Sequence, residues 1–460
     1  MINVSPKIKA AFQSDSMSKT YYLLFPEVTE TQEDGSTKVI SEEKILTNIN
    51  FKSDSISLKE SICSEEQLHF GCNEAATFEI EIEYEDESLV GRIFNVYLKL
   101  GNYEEQEDIF TVGRYRVDSE EISTDRQTKK LTAYDANYLF SYTDITYFAY
   151  MMEIPATIED TLKSLFEYVQ FDQVEKTLIN GDIVLSNNPF WKGEEITEVS
   201  FESFIKGILE VNACFGHISR DGKFDYISLT PTDNEENYPS KTNYPSPTNF
   251  PKSIKGKNYY VDPHLIKSDI TWQNYKCKTV DTIQVRNTAG TVLMEYHIPE
   301  KTTYTNIYVI QNNWVIDALD SAELEKLVLN FANAIKDISY TPVDANVKMD
   351  LSLEVGDAIT LTSTKGNKLP TFILSRTMTG VNSAFDEIEA TGYEEWINDA
   401  PDSNGAINDL SDQLQNLTDR VSALEQGQGD GNIKVESVDK LPTTPKKNVI
   451  YLVQGKVNVY

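Results

Sequence analysis

The stretch "FEIEIEY", Phe78 to Tyr84, alternates apolar and acidic residues without a break. Successive side chains of a strand point to opposite faces, so this run specifies a sheet with one buried and one wet side. "NVYLKL", "DIFTVGRYRV" and "KKLTAYD" continue at close intervals, with Gly, Asn and Asp between them. Short strands so spaced suit a small barrel or sandwich over residues 1–140. The 25 tyrosines and 20 phenylalanines, beside 7 methionines, favour sheets over helical bundles. A chain of 460 residues has room for roughly three or four domains.

Past residue 155 the period lengthens. Ile158, Leu162, Leu165, Phe166 and Val169 fall on one helical face, with Pro155 at the expected start. Phe201, Phe204, Ile205, Ile208 and Leu209 mark a second helix. In the following "CFGHISRDGKFDYISL", Asp221-Gly222 is a turn signal between two strands. "NYPSKTNYPSPTNFP" then places Pro in each of three approximate repeats, which prevents ladder pairing and reads as an extended connector, 231–256. Strand-like segments resume at "SDITWQNYK", and Leu324, Leu327, Val328, Phe331 and Ile335 line a third helix. The expected layout is a β-module at 1–140, an α+β region at 141–344 and a second β-module at 345–399. A helical stretch at 400–426 and a Gly linker with a β-hairpin tip at 427–460 complete it.

Charge and motif content narrow the function. Asp and Glu outnumber Lys and Arg by 73 to 41, a formal charge of −32 that repels phosphate backbones and anionic membranes. No apolar stretch approaches the ~20 residues of a spanning helix, and the N-terminus lacks a long apolar run of the secretory kind. The chain is therefore expected to be made in a cytoplasm, without a membrane anchor. Cys63, Cys72, Cys214 and Cys277 lack C-x-x-C spacing and read as reduced, mostly buried small hydrophobes. His69, His217, His264 and His297 have no second His or Cys at ligand spacing. His217, on an expected strand, reads as structural. No nucleophile elbow, phosphate loop or dinucleotide fingerprint occurs. The abundance of carboxylates removes any meaning from a carboxylate pair. The expectation is no enzyme, no catalytic residue, no metal and no cofactor.

The most specific feature lies near the C-terminus. Ile407, Leu410, Leu414, Leu417, Val421 and Leu424 are spaced 3-4-3-4-3, an unbroken heptad seam with Ile407, Leu414 and Val421 at a and the leucines at d. One isolated copy of so short a helix is marginal in water, so the seam points to self-association. β-branched a with Leu at d leans toward two strands. "RVSALE" instead resembles trimer-specifying coiled coils, with Arg420 at g reaching Glu425 at e of a neighbour. The candidate interface is thus Ile407, Leu410, Leu414, Leu417, Arg420, Val421, Leu424 and Glu425, and the heptads alone leave dimer and trimer open. "GQGDGN" stops the helix and releases a tip in which Tyr451 and Tyr460 are candidate contact residues.

Three stretches carry a family resemblance: "LHFGCNEAATFEIEI" (Leu68 to Ile82), "GRYRVDSEE" with "KKLTAYDANYLF" (ending at Phe140), and "ILEVNACFGHISRDGKFDYISL" (Ile208 to Leu229). They resemble the gp27-like baseplate hubs, or N-terminal parts of tail-associated lysins, of phage and prophage tail tips of Gram-positive bacteria, over about residues 40–400. The resemblance implies a mixed, β-rich α+β fold, with two β-barrel-like hub modules, an α+β region, a coiled coil and a hairpin tip. It implies a homotrimer that closes the tail tube and adapts sixfold to threefold symmetry. The implied partners are a distal tail or tail-tube ring protein, the tape-measure protein, and fibres or a receptor-binding protein. DNA would pass through without specific binding, and the location would be the virion tail tip, assembled in the host cytoplasm. A contractile tail or bacteriocin fits the same motifs as a flexible tail. Long tail-associated lysins continue into wall-degrading modules; only about 60 residues follow the body here, which leaves a cell-wall hydrolase as the least supported reading. A receptor- or fibre-binding role of the tip is the alternative.

Overall fold

A computed structural model describes residues 12, 19–31, 37–52, 54–101, 109–191, 198–229, 259–261, 270–287, 290–299, 301, 304–381, 384–396, 434–438, 449–453 and 456–459. Two compact units divide the chain, Met1–Asn398 and Asp399–Tyr460. The first opens with β1 (Lys19–Phe25), β2 (Val28–Thr31), β3 (Thr37–Ser41), β4 (Lys44–Thr47) and β5 (Ser57–Ser61). β6 (Thr77–Glu83), β7 (Ile93–Leu100), β8 (Ile109–Ile122) and β9 (Thr128–Tyr134) follow. An α+β stretch comes next: α1 (Asn137–Phe140), α2 (Thr146–Met151), β10 (Ala156–Thr157), α3 (Ile158–Val169), β11 (Val184–Leu185), α4 (Phe201–Val211), β12 (Phe215–Ile218) and β13 (Phe224–Ile227). Beyond lie β14 (Tyr259–Val261), β15 (Thr271–Trp272), β16 (Thr282–Arg286), β17 (Val292–His297), β18 (Ile307–Ile310), α5 (Trp314–Asp317) and α6 (Ser321–Ile335). The unit ends with β19 (Val343–Lys348), β20 (Ala358–Thr362), β21 (Lys368–Phe372), β22 (Ser375–Thr379) and β23 (Phe385–Ala390).

The alternating segments fold as their period requires. β6 buries Phe78, Ile80 and Ile82 and turns Glu79, Glu81 and Glu83 outward. α3 starts at Thr157, whose hydroxyl accepts from the Asp160 amide, and stops where Gln170 turns left-handed at φ 54°. Pro155 therefore lies outside the helix, ahead of its cap, and not in its first turn. Ser200 caps α4, and Asp320 caps α6 by accepting from the amides of Ala322 and Glu323. Asp221-Gly222 turns β12 into β13, with Gly222 at φ 81°.

One sheet organises the unit. Its order is β15-β19-β23-β22-β5-β6-β9-β8-β7-β1-β4, and every neighbouring pair is antiparallel. β5 is the bridge: Ser57 faces Glu79 of β6 on one side and Thr379 of β22 on the other. The N-terminal strands and the last strands of the unit thus form a single ladder. Two hydrophobic cores pack against it. One gathers Phe25, Phe78, Phe94 and Val117 with Met349, Leu351 and Met378 from the last part of the unit. The other gathers the apolar faces of α3, α4 and α6 with Phe70, Phe215, Tyr340 and Ile388.

Where the late strands of the ladder join the early ones, charge is buried. Arg376 of β22, fully enclosed, donates to Asp386 of β23 at 2.5 Å, to the carbonyl of Asp350 at 3.2 Å and to the carbonyl of Leu353. Arg220, in the β12–β13 turn, donates to the same Leu353 carbonyl at 3.1 Å and lies over the Phe110 ring at 4.7 Å. Burial works against the Arg376 charge, but Asp386 and Glu60 more than offset it, so the guanidinium is held more firmly protonated. Burial pushes the Asp386 carboxyl up, and Arg376 pulls it back only in part. Breaking one partner strands the other charge in the core. Asp386→Asn or Arg376→Met is expected to lower unfolding stability by about 3–5 kcal/mol, measured by chemical denaturation. The double change Arg376→Met with Asp386→Leu is expected to recover much of that loss.

In the second unit β24 (Lys434–Val438) runs parallel to β25 (Val449–Val453), which pairs antiparallel with β26 (Lys456–Val459).

Candidate assembly surfaces

The ends of a sheet present backbone donors and acceptors to whatever approaches, and proteins normally blunt them. Here the ends are β15 and β4. β15 is two residues long, both exposed, and pairs only Val343 and Asp344 of β19. β4 follows in sequence the β2–β3 ribbon, a separate two-stranded sheet. This corner exposes β-branched aliphatics: Ile40 is 53% exposed, Ile45 52% and Ile49 85%, with Val28 and Val39 also on the surface. Five exposed aliphatic side chains between residues 28 and 49 make this stretch a candidate interaction surface. The sequence carried a sign of it. Val39 and Ile40 are adjacent, so a strand containing both must turn one aliphatic side chain away from any single core.

The wet face of the large sheet carries both signs of charge. Glu79, Glu81 and Glu83 share this face with Lys59, Lys130 and Arg116. Lys130 meets Glu79 at 2.9 Å and Lys52 meets Glu81 at 2.7 Å. Lys52, and then the Thr128 hydroxyl, hold the Glu81 carboxyl below its ordinary range. On this face the −32 of the whole chain does not form a one-sign field.

A cleft of about 430 Å³ opens beside β15, lined by Trp272, Tyr275, Tyr393, Glu66, Asp344 and Glu389 among others. Tyr275 donates to the Gly392 carbonyl at 3.1 Å, and the Tyr393 hydroxyl bonds Glu66. The histidines sit apart. His217 is buried on β12. His69 lies 3.6 Å from the buried Glu210, and His297 contacts Thr282 at 3.0 Å. Among the described residues no three His, Cys, Asp or Glu gather as a metal site, and no helix is long and apolar enough to cross a membrane.

The three stretches that carry the family resemblance meet physically. Gly71 donates to the Cys214 carbonyl and Gly216 to that of Cys72, each at 3.0 Å. Asp135 accepts from the amides of Ala76 and Asn137, both at 3.0 Å, and the Asn137 side chain donates to the Glu74 carbonyl. These segments are therefore a structural junction. Of the sequence-derived interface, Ile407, Leu410, Leu414, Leu417, Arg420, Val421, Leu424 and Glu425 lie outside the described residues, as do Tyr460, His264 and the Pro-rich connector 231–256. Tyr451 is on β25.

No family model matches the chain, and no curated protein matches it. Solved structures similar to it include a tail protein from Neisseria meningitidis MC58, with a TM-score of 0.44 and 10% identity over 82% of this chain and 98% of that one. The 43 kDa tail protein of prophage MuSo2 from Shewanella oneidensis has a TM-score of 0.41 and 9% identity, over 81% and 97%. Prophage tail protein gp18 from Listeria monocytogenes EGD-e has a TM-score of 0.41 and 12% identity, over 82% and 96%. Likeness at this level transfers no property to this chain.

The junction has a pH signature. Burial raises the Asp135 carboxyl from 3.8 to about 7, against the two amides that favour its charge. The folded state then holds a proton that the unfolded chain releases, so this stability is full below the unfolded value and is lost as pH rises through about 7. Unfolding stability is expected to fall between about pH 4 and pH 7 by a few kcal/mol more in the native chain than in Asp135→Asn, seen as a steeper fall of the thermal midpoint. Parallel slopes in calorimetry would contradict this.

Proposed function

We propose that the chain is a structural hub of a phage or prophage tail tip, acting as a homotrimer that closes the tail tube. The observation that carries the reading is the single sheet that joins two β-modules through β5 and ends in two unlike edges, β15 and β4. A ring built head to tail needs two different complementary surfaces on each subunit, and closes if the rotation allows. The short, exposed β15 and the aliphatic corner at β4 are surfaces of that kind. Three subunits with two β-modules each would offer six similar units to a sixfold tube above and threefold symmetry below. The sequence motifs support the same reading, as does the heptad seam from Ile407 to Leu424, with Arg420 and Glu425 pairing between helices. The partners would be the distal tail or tail-tube ring protein and the tape-measure protein, with DNA passing without specific contacts. The mixed charge of the wet sheet face suits a surface that neither attracts nor strongly repels a polyanion.

A second reading, recognition of a receptor or fibre, draws on the separate compact unit Asp399–Tyr460 and its three-stranded sheet. Tyr451 and Tyr460 are its candidate contacts. Loss of host adsorption in Tyr451→Ala with Tyr460→Ala, with assembly intact, would favour it.

Mass in solution tests the hub. The full chain is expected to be a trimer at micromolar concentration, by light scattering. Leu414→Asp with Leu417→Asp, or truncation after Asn398, should weaken it. A dimer, or no change on disrupting the seam, would count against the proposal. Ile40→Glu with Ile45→Glu should reduce ring formation on tail-tube partners while shifting monomer stability by no more than about 0.5 kcal/mol, since both side chains are surface groups. An unchanged ring would exclude the β4 corner as an interface.

A further inference from the structure

We propose that Cys63 and Cys72 are an oxidisable thiol pair, a site at which a small-molecule disulfide closes an intrachain bond in the folded protein. The inference is independent of the tail-tip reading. The two sulfurs lie 3.5 Å apart, with the Cys72 thiol donating to Cys63. A disulfide is about 2.05 Å long, so closure asks the sulfurs to approach by about 1.5 Å, within reach of side-chain rotation. The backbone holds both ends: Ile62 donates to the Leu374 carbonyl at 2.9 Å, and Cys72 accepts from Gly216 at 3.0 Å.

The pair also has an entrance and a direction. Cys63 lines a cavity of about 300 Å³ with Lys59, Ser61, Glu74 and Thr391. The hydrogen bond from Cys72, opposed by burial and helped by the amides of His69 and Glu65, holds the Cys63 thiol below its ordinary range, whereas Cys72 is pushed well above. Cys63 lines this cavity and Cys72 does not, so Cys63 is the attacking thiolate. It displaces one thiolate from the external disulfide and becomes a mixed disulfide. Cys72 then loses its proton to solvent, attacks the Cys63 sulfur and expels the second thiolate. Two electrons pass to the small disulfide, which is reduced to two thiols, and one S–S bond forms in the protein. Cys214 and Cys277 have no such arrangement. Burial pushes Cys277 up to about 11 and Cys214 further.

Closure would lock a loop that grips the end of the second β-module. Thr391 donates to the Glu65 carbonyl and Tyr393 to the Gln67 side chain, each at 3.1 Å. A protein assembled in a reducing cytoplasm and later exposed outside it would gain this lock after assembly.

The test treats the reduced full-length chain with glutathione disulfide and cleaves it after Glu65 and Glu66, which puts the cysteines in separate peptides. Peptides joined through Cys63 and Cys72 are expected, in the native chain and equally in Cys214→Ser with Cys277→Ser. In Cys72→Ser, Cys63 should retain one glutathione; in Cys63→Ser, Cys72 should retain none. A stable glutathione adduct without the joined peptides, entry at Cys72, or reaction only at Cys214 or Cys277 would each overturn the proposal, as would no reaction in the folded chain.

Discussion

The carbonyl of Leu353 accepts from two guanidinium groups, Arg376 of the sheet and Arg220 of the α+β region, and the rest of the first unit is arranged around that meeting. Two cations at one dipole persist in a core only with compensating carboxylates, here Asp386 beside Arg376 and Glu354 at 3.9 Å from Arg220. Buried ion pairs are poor sources of net stability, and well-packed apolar groups would often do as well. Their value here is in register. Arg376 faces Ile388 on β23 and Glu60 on β5, all on the buried side. A slip of one residue would turn Arg376 to water and strand Asp386. The clamp therefore fixes which residues of β22 meet β5, and through β5 it fixes how the two β-modules share one sheet.

That sharing has a kinetic side. β5 and β22 are more than 300 residues apart, and such non-local pairings close only after a large loss of chain entropy. The cores ease this, because each mixes early and late segments: Met349 and Met378 join Phe78 and Phe94, and Ile62 joins Ile388. Neither the early nor the late strands have a complete core without side chains from the other set. The α+β region lies between them in sequence yet does not divide them in space, and its turn at Arg220 takes part in the same clamp.

Much of this was legible in sequence, and the part that was not has a common cause. Period-2 and period-3.6 patterns located β6, α3, α4 and α6, and Asp221-Gly222 located a hairpin, because each signal is local. β5 reads "SLKES", four polar residues in five, and gives no sign of pairing with strands from both ends of the unit. Lys59 faces water, but Glu60 and Ser61 are buried, and the backbone pairs on both sides. Arg220 in "SRDG" and Arg376 in "SRTM" look like solvated loop charges until the fold brings Asp386 and Leu353 to them. Cys63 and Cys72 fit no short motif, and their contact depends on a loop returning to its own start. The aliphatic corner was visible only as the Val39-Ile40 adjacency. The heptads, the clearest signal in the sequence, lie outside the described residues.

In the proposed hub, the short seam and the sheet edges have complementary weaknesses. A helix with an apolar seam of about 18 residues, roughly 27 Å long, forms a marginal coiled coil alone. Edge strands as short as β15 and β4 likewise form weak pairs. Joined in one chain, each raises the effective concentration of the other, so the combination can be far stronger than either without any new contact. The same logic sets a restraint. A ring held mainly by long, flat edges would be prone to add copies without limit, whereas short edges require the threefold seam to bring subunits together. Stoichiometry would then come from the helix and geometry from the sheet, with neither sufficient on its own.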